Sequence, residues 1–221
     1  MNLKKIFILF LIVSIAFGCK KAYDIPPAGV PMTFFNVINS TQNTFNYYLN
    51  GTRQNTASSI YPSGYTGYLS VASRTQTYQF RPNGSVNALF DKQLALTDST
   101  YQTLYVTGNT ADKAYLFSDT LITSTTGSNV RFAHTLDGAG ALSVSVNDTL
   151  VFVNRSYKTV SAFQTLASGT KTLKVYAGNS TMPSATQKIT FSIGNVYTLY
   201  VSALPNGAGQ PALTIGYFVN K

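Results

Sequence analysis

The chain has 221 residues and a formal net charge of +9, with 16 lysines and arginines against seven acidic residues, all of them aspartates. The 15 tyrosines and 14 phenylalanines favour pleated, half-buried strands, and the absence of glutamate removes a good helix former, so the composition predicts an almost all-β protein. The basic residues are scattered singly apart from two pairs near the N-terminus, which excludes the clustered charge that nucleic-acid binding needs.

The N-terminal residues predict a segment for export. Lys4 and Lys5 precede an apolar run over residues 6–17 that only Ser14 interrupts. This run is too short for a bilayer-spanning helix, which needs roughly 20 residues, but it suits the apolar centre of a signal peptide. We therefore expect residues 1–18 to be a signal peptide.

The only cysteine, Cys19, follows this run directly. The sequence Ile-Ala-Phe-Gly-Cys at 15–19 resembles a relaxed bacterial lipobox, which implies that Cys19 is lipidated and becomes the first residue of the mature protein. Two or more acyl chains anchor a protein stably, so we expect attachment to a membrane through lipid, with residues 19–29 as a tether. A modified Cys19 leaves no thiol for disulfides, zinc-thiolate sites or cysteine catalysis.

An internal repeat organises the rest of the chain. The segment TYQTLYVTG at 100–108 recurs as NVYTLYVSA at 195–203, an offset of 95 residues. The same offset aligns 68–80 with 163–175 and 92–97 with 187–192, an offset of 97 aligns 47–52 with 144–149, and the segment at 114–121 corresponds to 212–219. The order and spacing predict two copies of one domain, at 30–121 and 130–221, joined by a polar connector at 122–129.

Apolar residues alternate within each copy as they do in strands that bury one face. The predicted inward residues are Phe45, Tyr47, Leu49, Tyr78, Phe80, Leu94, Leu96, Leu104 and Val106 in the first copy, and Leu142, Val144, Val146, Leu173, Val175, Ile189, Phe191, Ile193, Leu199 and Val201 in the second. Turn pairs separate them at 50–51, 83–84, 137–138, 147–148 and 206–207. The spacing predicts two tandem immunoglobulin-like antiparallel β-sandwich domains, although the Cys-Trp-Cys core of true immunoglobulin domains is absent. The short polar connector predicts that their relative angle varies.

One segment predicts a binding surface. The sequence IYPSGYTGYLS at 60–70 places Tyr61 and Tyr65 among proline and glycine. Exposed tyrosines supply flat, amphipathic contact area at low entropic cost, so these two are the candidate ligand-binding residues. Tyr68 aligns with Phe163 and is predicted to be core.

The second copy resembles the bacterial family catalogued as domain of unknown function 4397. The similarity lies in the V-R-F opening at 130–132, the hairpin at 144–148, the segment YKTVSAF at 157–163 and the strand at 171–175. The first copy matches more loosely, through TFFNVINS and YYLNGT. The resemblance implies an extracytoplasmic β-domain without assigned activity. The Gly-Cys-Lys-Lys junction and the Tyr/Asn/Thr-rich composition resemble Bacteroidetes-type lipoproteins, which implies the outer membrane, facing the cell surface or the periplasm.

Catalytic and metal sites have little support in the sequence. The single histidine, His134, follows an inward Phe132 and aligns with Val37, so it is interpreted as a packed or edge residue rather than part of a triad. The aspartates lie in turn contexts and form no D-x-D-x-D cluster. We therefore expect no enzyme activity, no metal and no cofactor.

Three short triplets resemble the O-glycosylation acceptor sequence of Bacteroidetes. They begin at Asp98, Asp119 and Asp148, and they make Ser99, Thr120 and Thr149 candidate modification sites. Turns favour the same residue types, so the alternative interpretation is purely conformational.

The sequence leaves three functional hypotheses in order of preference. The first is a non-catalytic envelope lipoprotein that binds an extracellular glycan or protein through its loops and tyrosines. The second is a structural spacer or assembly component that holds another envelope protein at a distance. The third is a hydrolase.

Overall fold

The computed structural model describes residues 29–123, 125–204 and 212–220. The predicted signal peptide, Cys19 and nearly all of the tether lie outside the described residues. Pro31–Lys221 forms one compact unit.

Almost every regular element in the described residues is a strand. The first repeat contains β1 (Met32–Asn39), β2 (Phe45–Leu49), β3 (Thr52–Arg53), β4 (Leu69–Ala72), β5 (Thr75–Pro82), β6 (Phe90–Ala95), β7 (Tyr101–Val106) and β8 (Ala114–Asp119), with a single 3-10 turn at Ala111–Lys113. The second repeat contains β9 (Ser128–Ala133), β10 (Leu142–Val146), β11 (Thr149–Arg155), β12 (Gln164–Leu166), β13 (Gly169–Ala177), β14 (Ala185–Phe191), β15 (Val196–Leu204) and β16 (Ala212–Val219). The strand β9 thus begins two residues before the predicted domain start at 130.

Each repeat consists of two four-stranded sheets. In the first repeat the strand orders are β4-β1-β7-β8 and β3-β2-β5-β6, and in the second they are β12-β9-β15-β16 and β11-β10-β13-β14. The prediction of an all-β chain with two tandem sandwiches is confirmed. The strand order differs from the ABED and CFG sheets of immunoglobulin constant domains, and β1 pairs with β7 in parallel, as β9 does with β15.

The alternation identified in the sequence marks the core of each sandwich. All predicted inward residues of the first repeat are buried except Leu49, which is half-buried, and all of those of the second are buried except Ile193. Ile193 is 60% exposed because it lies beyond the end of β14, in the turn before β15. These residues form one apolar cluster per repeat.

The pairing of the strands confirms the internal repeat. Tyr47 lies opposite Phe80 in the first repeat, and Val144 lies opposite Val175 in the second, so the offsets of 97 and 95 residues are both correct. The last strand needs a correction. Leu104 pairs with Leu116, whereas Leu199 pairs with Tyr217, so Leu116 corresponds to Tyr217 and the sequence alignment of 114 with 212 is wrong by three residues.

Two of the predicted turn pairs have positive φ at both central positions. Asn50 and Gly51 have φ of 48° and 79°, and Asn147 and Asp148 have φ of 48° and 67°. This is the requirement of a two-residue type I′ hairpin, whose twist matches that of the flanking strands. The pair at 206–207 lies outside the described residues.

The two repeats pack against each other through one sheet of each. A third apolar cluster joins them, formed by Ile38, Tyr105, Ala133, Tyr200 and Phe218. The strands β1, β7, β9 and β15 are therefore buried on both faces. The connector predicted a variable angle between two independent domains, whereas the structure shows a shared interior.

Gly216 makes room for one of the aromatic rings in this interface. It lies opposite Tyr200 in the sheet, and a Cβ on Gly216 would overlap two atoms of the Tyr200 ring and approach the hydroxyl of Ser63. The Tyr200 hydroxyl donates to the carbonyl of Ser63 in the first repeat at 2.8 Å.

We expect Gly216→Ala to lower the free energy of unfolding by about 1–3 kcal/mol, because the added methyl group overpacks the interface. Urea unfolding followed by tyrosine fluorescence measures the change. The added cost should shrink when Tyr200→Leu removes the ring, so strictly additive losses in the double variant would contradict the overlap.

Candidate functional site

The turn that carries Tyr61 and Tyr65 is fixed to the end of β1. The amide of Ser63 donates to Asn39 O, and the amide of Asn39 donates to Gly64 O, both at 2.8 Å. The amide of Gly64 closes the turn on Tyr61 O at 2.8 Å. Ser63 has a φ of 59°, which completes the reversal. The backbone under both tyrosines is therefore held in one geometry.

Both candidate ligand-binding side chains reach solvent. Tyr61 is 62% exposed and Tyr65 is 47% exposed. The Tyr65 ring lies 5.7 Å from the ring of Phe218 in the second repeat. Beside it is a recess of about 90 Å³ lined by residues 55–60 together with Tyr65, Thr66 and Leu69. The recess holds roughly three water molecules, so the accessible contact surface is the two rings themselves.

Tyr68, the third tyrosine of the segment, belongs to the interface and not to this surface. Its hydroxyl donates to Asp119 Oδ2 at 2.8 Å and accepts from Asn220 Nδ2 at 2.9 Å. Burial, with the nearby charge of Asp119, raises the pKa of Tyr68 well above its ordinary value. Tyr68 thus packs between the repeats rather than in the core of its own sandwich.

A closed ring of buried polar groups joins the two repeats. Arg131 Nη2 donates to Asp119 Oδ1, and Arg131 Nε donates to Thr198 Oγ1 at 2.9 Å. Thr198 donates to Asn220 Oδ1 at 2.7 Å, and Asn220 returns through Tyr68 to Asp119. The Arg131 side chain is 3% exposed and that of Asp119 is not exposed.

Two aromatic rings lie near the Arg131 guanidinium, and Asp119 accepts one further hydrogen bond. Its central carbon lies 4.8 Å from the ring centroid of Phe163 and 5.4 Å from that of Phe117. Thr103 Oγ1 donates a further hydrogen bond to Asp119 Oδ2 at 2.5 Å. Both charges are thus partnered, as burial requires.

The second repeat contains a turn of the same geometry at 156–161. The amide of His134 donates to Thr159 O at 2.9 Å, and the amide of Lys158 donates to His134 O at 3.0 Å, as in the first repeat. This turn also contacts the other repeat, because Tyr157 OH lies 2.5 Å from Thr107 Oγ1 and Lys158 Nζ donates to Asp112 O. The segment YKTVSAF at 157–163 therefore helps to hold the two sandwiches together.

His134 is a structural residue in the described chain. It is fully buried, its Nδ1 accepts from the amide of Leu136 at 3.3 Å, and its Nε2 lies 2.7 Å from Gly140 O. Since Nδ1 accepts, the ring is neutral with its proton on Nε2, which donates to the carbonyl. Burial lowers the pKa of His134 below its ordinary value.

The sequence alignment of His134 with Val37 is wrong. Phe132 pairs with Leu199 and Val37 pairs with Leu104, so Phe132 corresponds to Val37 and His134 to Asn39. Asn39 Oδ1 accepts from the amide of Thr41 at 2.9 Å, two residues along the chain, as His134 Nδ1 does. Both side chains fasten the loop that follows the strand.

The three candidate O-glycosylation residues differ in the context of their aspartates. Ser99, Thr120 and Thr149 are all exposed. Asp98 accepts from the amide of Met32 at 3.1 Å. Asp119, which precedes Thr120, is buried and hydrogen-bonded within the ring of polar groups. A glycosylating enzyme that recognises this aspartate cannot reach it in the folded protein.

Within the described ranges, no cluster of three or more His, Cys, Asp or Glu residues could hold a metal ion. In the same part of the chain, no helix has the length and apolar character to cross a membrane.

The fold and the shared interface define a class of tandem β-sandwich proteins in which two copies of one domain form a single compact unit. A family model described as "Domain of unknown function (DUF4397)" matches residues 33–145 and 128–215. The chain belongs to this family, as the resemblance of its second copy indicated. No curated protein matches the chain.

The polar residues between the repeats were missed by reasoning from the sequence. Asn36, Thr103, Arg131 and Thr198 alternate with core residues on strands and so have the pattern of a solvent face. The internal repeat could have indicated this interface, because the equivalent positions 103 and 198 are both threonine.

We expect Arg131→Met to lower the free energy of unfolding by about 3–5 kcal/mol, because it leaves the Asp119 carboxylate buried without its countercharge. Chemical denaturation measures this loss. Adding Asp119→Asn should recover part of it, since an amide matches the neutral Asn220 on the other side of the ring. The matched control is Lys174→Met, which breaks the exposed pair with Asp148 and should change stability little. Equal losses of stability in Arg131→Met and Lys174→Met would contradict the assignment of a buried ion pair to Arg131 and Asp119.

We expect the stability of the protein to fall as the pH drops below about 6.5 through the titration of His134. The unfolded chain takes up a proton near the ordinary pKa, whereas the folded chain resists because burial lowers the pKa of His134, so unfolding is favoured by acid. His134→Asn should remove this slope, because asparagine does not titrate. The fold should tolerate the change, because Asn39 makes the equivalent contact in the first repeat. Urea midpoints between about pH 7 and pH 5, the range around the ordinary pKa of a histidine, provide the measurement. The same slope in both proteins would rule His134 out as its source.

Proposed function

We propose that the protein is a non-catalytic, lipid-anchored binding module of the cell envelope that recognises an extracellular glycan or protein through Tyr61 and Tyr65. One observation supports this proposal: both rings are exposed, and three backbone hydrogen bonds hold the turn that carries them.

The physical advantage of this arrangement is preorganisation. A tyrosine ring offers a flat apolar face and a polar hydroxyl with only two side-chain torsions to order. Because the turn is already fixed by Asn39 and Tyr61 O, binding needs little further ordering of the backbone, and less of the contact energy is lost to entropy.

The proposed anchor is the lipid on Cys19, with residues 19–29 as the tether to the outer membrane. The lipobox-like sequence at 15–19 and the prolines at 26 and 27 support this placement. The sandwiches would then be displayed a short distance from the membrane, on the cell surface or in the periplasm.

A spacer or assembly role is the second candidate, and one specific observation favours it. The two repeats share the apolar cluster of Ile38, Tyr105, Ala133, Tyr200 and Phe218 and the buried ion pair, so Pro31–Lys221 is one compact unit. Such a unit could hold a partner at a defined distance without a ligand site at the tyrosines.

Binding of soluble residues 20–221 to an array of polysaccharides and host glycoproteins tests the first proposal. We expect selective binding that the double variant Tyr61→Ala, Tyr65→Ala loses. Tyr217→Ala is the matched control, because Tyr217 is 40% exposed and its ring lies 6.2 Å from that of Tyr197, on the face of β16 opposite to Phe218.

Binding that survives the double variant would contradict the tyrosine surface. If no member of the array binds, the result favours the spacer role. Cross-linking in the intact envelope would then identify the protein that the spacer holds.

A further inference from the structure

A polar cleft opens where the two repeats meet, and we propose that it binds a neutral saccharide of one or two rings. The cleft has a volume of about 420 Å³, and its lining residues are Ser40, Thr41, Gln42, Asn43, Thr107, Gly108, Asn109, Thr135, Leu136, Asp137 and Ala203.

The cleft exists only because the repeats are docked. Its lining pairs equivalent positions of the two copies, since Ser40 corresponds to Thr135 and Gly108 to Ala203 at the offset of 95 residues. Each repeat contributes the loop after its first strand and the end of its seventh strand. Neither repeat alone forms the site.

The floor of the cleft carries four buried hydroxyl residues, of which three are engaged. Thr41 donates to Asn39 Oδ1 at 2.8 Å, Thr107 donates to Lys113 O at 2.6 Å, and Thr135 donates to a backbone carbonyl of β15.

The fourth floor hydroxyl is unpaired. Ser40 is 4% exposed, and its Oγ has no hydrogen-bond partner within the described residues. A buried polar group without a partner carries a desolvation cost that a bound hydroxyl can remove. Ser40 is thus the feature of the cleft that the protein's own contacts leave unexplained.

The rim supplies amides and a carboxylate. Asn43 Nδ2 donates to Asn109 Oδ1 at 3.2 Å, and both side chains are otherwise without partners in the described part of the chain. Gln42 is exposed beside them. Asp137 forms an ion pair with Lys113 at 2.7 Å across the two repeats.

This lining selects the chemistry of the ligand. The charge of Asp137 is offset by Lys113, so the site favours a neutral molecule. Amide, hydroxyl and carboxylate groups match the paired donors and acceptors of vicinal sugar hydroxyls, and Leu136 and Ala203 offer a small apolar contact. The volume lies in the range of small-molecule sites.

This proposal goes beyond the proposed function, because Tyr61 and Tyr65 are not among the residues that line the cleft.

Saturation-transfer NMR on residues 20–221 tests the proposal, with glucose, galactose, mannose, N-acetylglucosamine, maltose, cellobiose and lactose as probes. We expect transfer to at least one of these probes, and about tenfold weaker binding in Asn43→Ala, Asn109→Ala, because both amides are lost. The double variant Tyr61→Ala, Tyr65→Ala should bind as the parent does.

Ser40→Ala separates a binding role from a structural one. Removing an unpaired buried hydroxyl should leave the free energy of unfolding unchanged or raise it, while saccharide binding weakens. Thermal unfolding of every variant gives the folding control, and Asn43 and Asn109 are exposed, so their loss should not unfold the chain.

No transfer to any probe would overturn the proposal, as would transfer that the Asn43 and Asn109 changes leave intact. Binding lost only in the tyrosine variant would also overturn it and would assign the saccharide to the tyrosine surface instead.

Discussion

Arg131 and Asp119 form an ion pair across the boundary between the two repeats, and neither charge has access to water. Removing one partner leaves the other buried and unpaired, which is far more costly than the net stabilisation that the pair provides. A docking of the two sheets that kept both charges buried but separated them would carry the same cost. The pair therefore penalises such arrangements, and it supports the cleft beside Ser40, whose lining comes from both repeats.

The interface is nearly two-fold symmetric in backbone but not in chemistry. Arg131 corresponds to Asn36, and Asp119 corresponds to Asn220, because each pair occupies equivalent places in the two sheets. Each of these equivalent pairs has one charged and one neutral member, so the interface contains a single ion pair instead of two. Two copies of the first repeat would lack the arginine, and two copies of the second would lack the aspartate. The repeats have thus become specific for each other.

Much of the fold was predictable because strand alternation and turn chemistry are local. Phe45, Tyr47 and Val144 identify inward faces from their neighbours alone, and Asn50-Gly51 specifies its hairpin through φ. The docking was not predictable, since a polar residue such as Thr198 has the same pattern whether it faces water or a second sheet. His134 shows the same limit, because its role is visible only once strand register assigns it the place of Asn39. The exposure of Tyr61 and Tyr65 was predictable because proline and glycine mark their turn, whereas the cleft needs both repeats to exist.

The parallel pairing of β1 with β7 has a mechanical consequence under the proposed anchoring. A tether that ends before Met32 would transmit any pull on the protein directly into β1. That strand is held along its length by six paired residues of β7 on one side and four of β4 on the other. Tension along the strand loads these hydrogen bonds in shear, so they resist together instead of opening one after another from an end. Under that anchoring, the attachment point would be an inner strand of a four-stranded sheet, where a steady pull would be resisted with the least loss of structure.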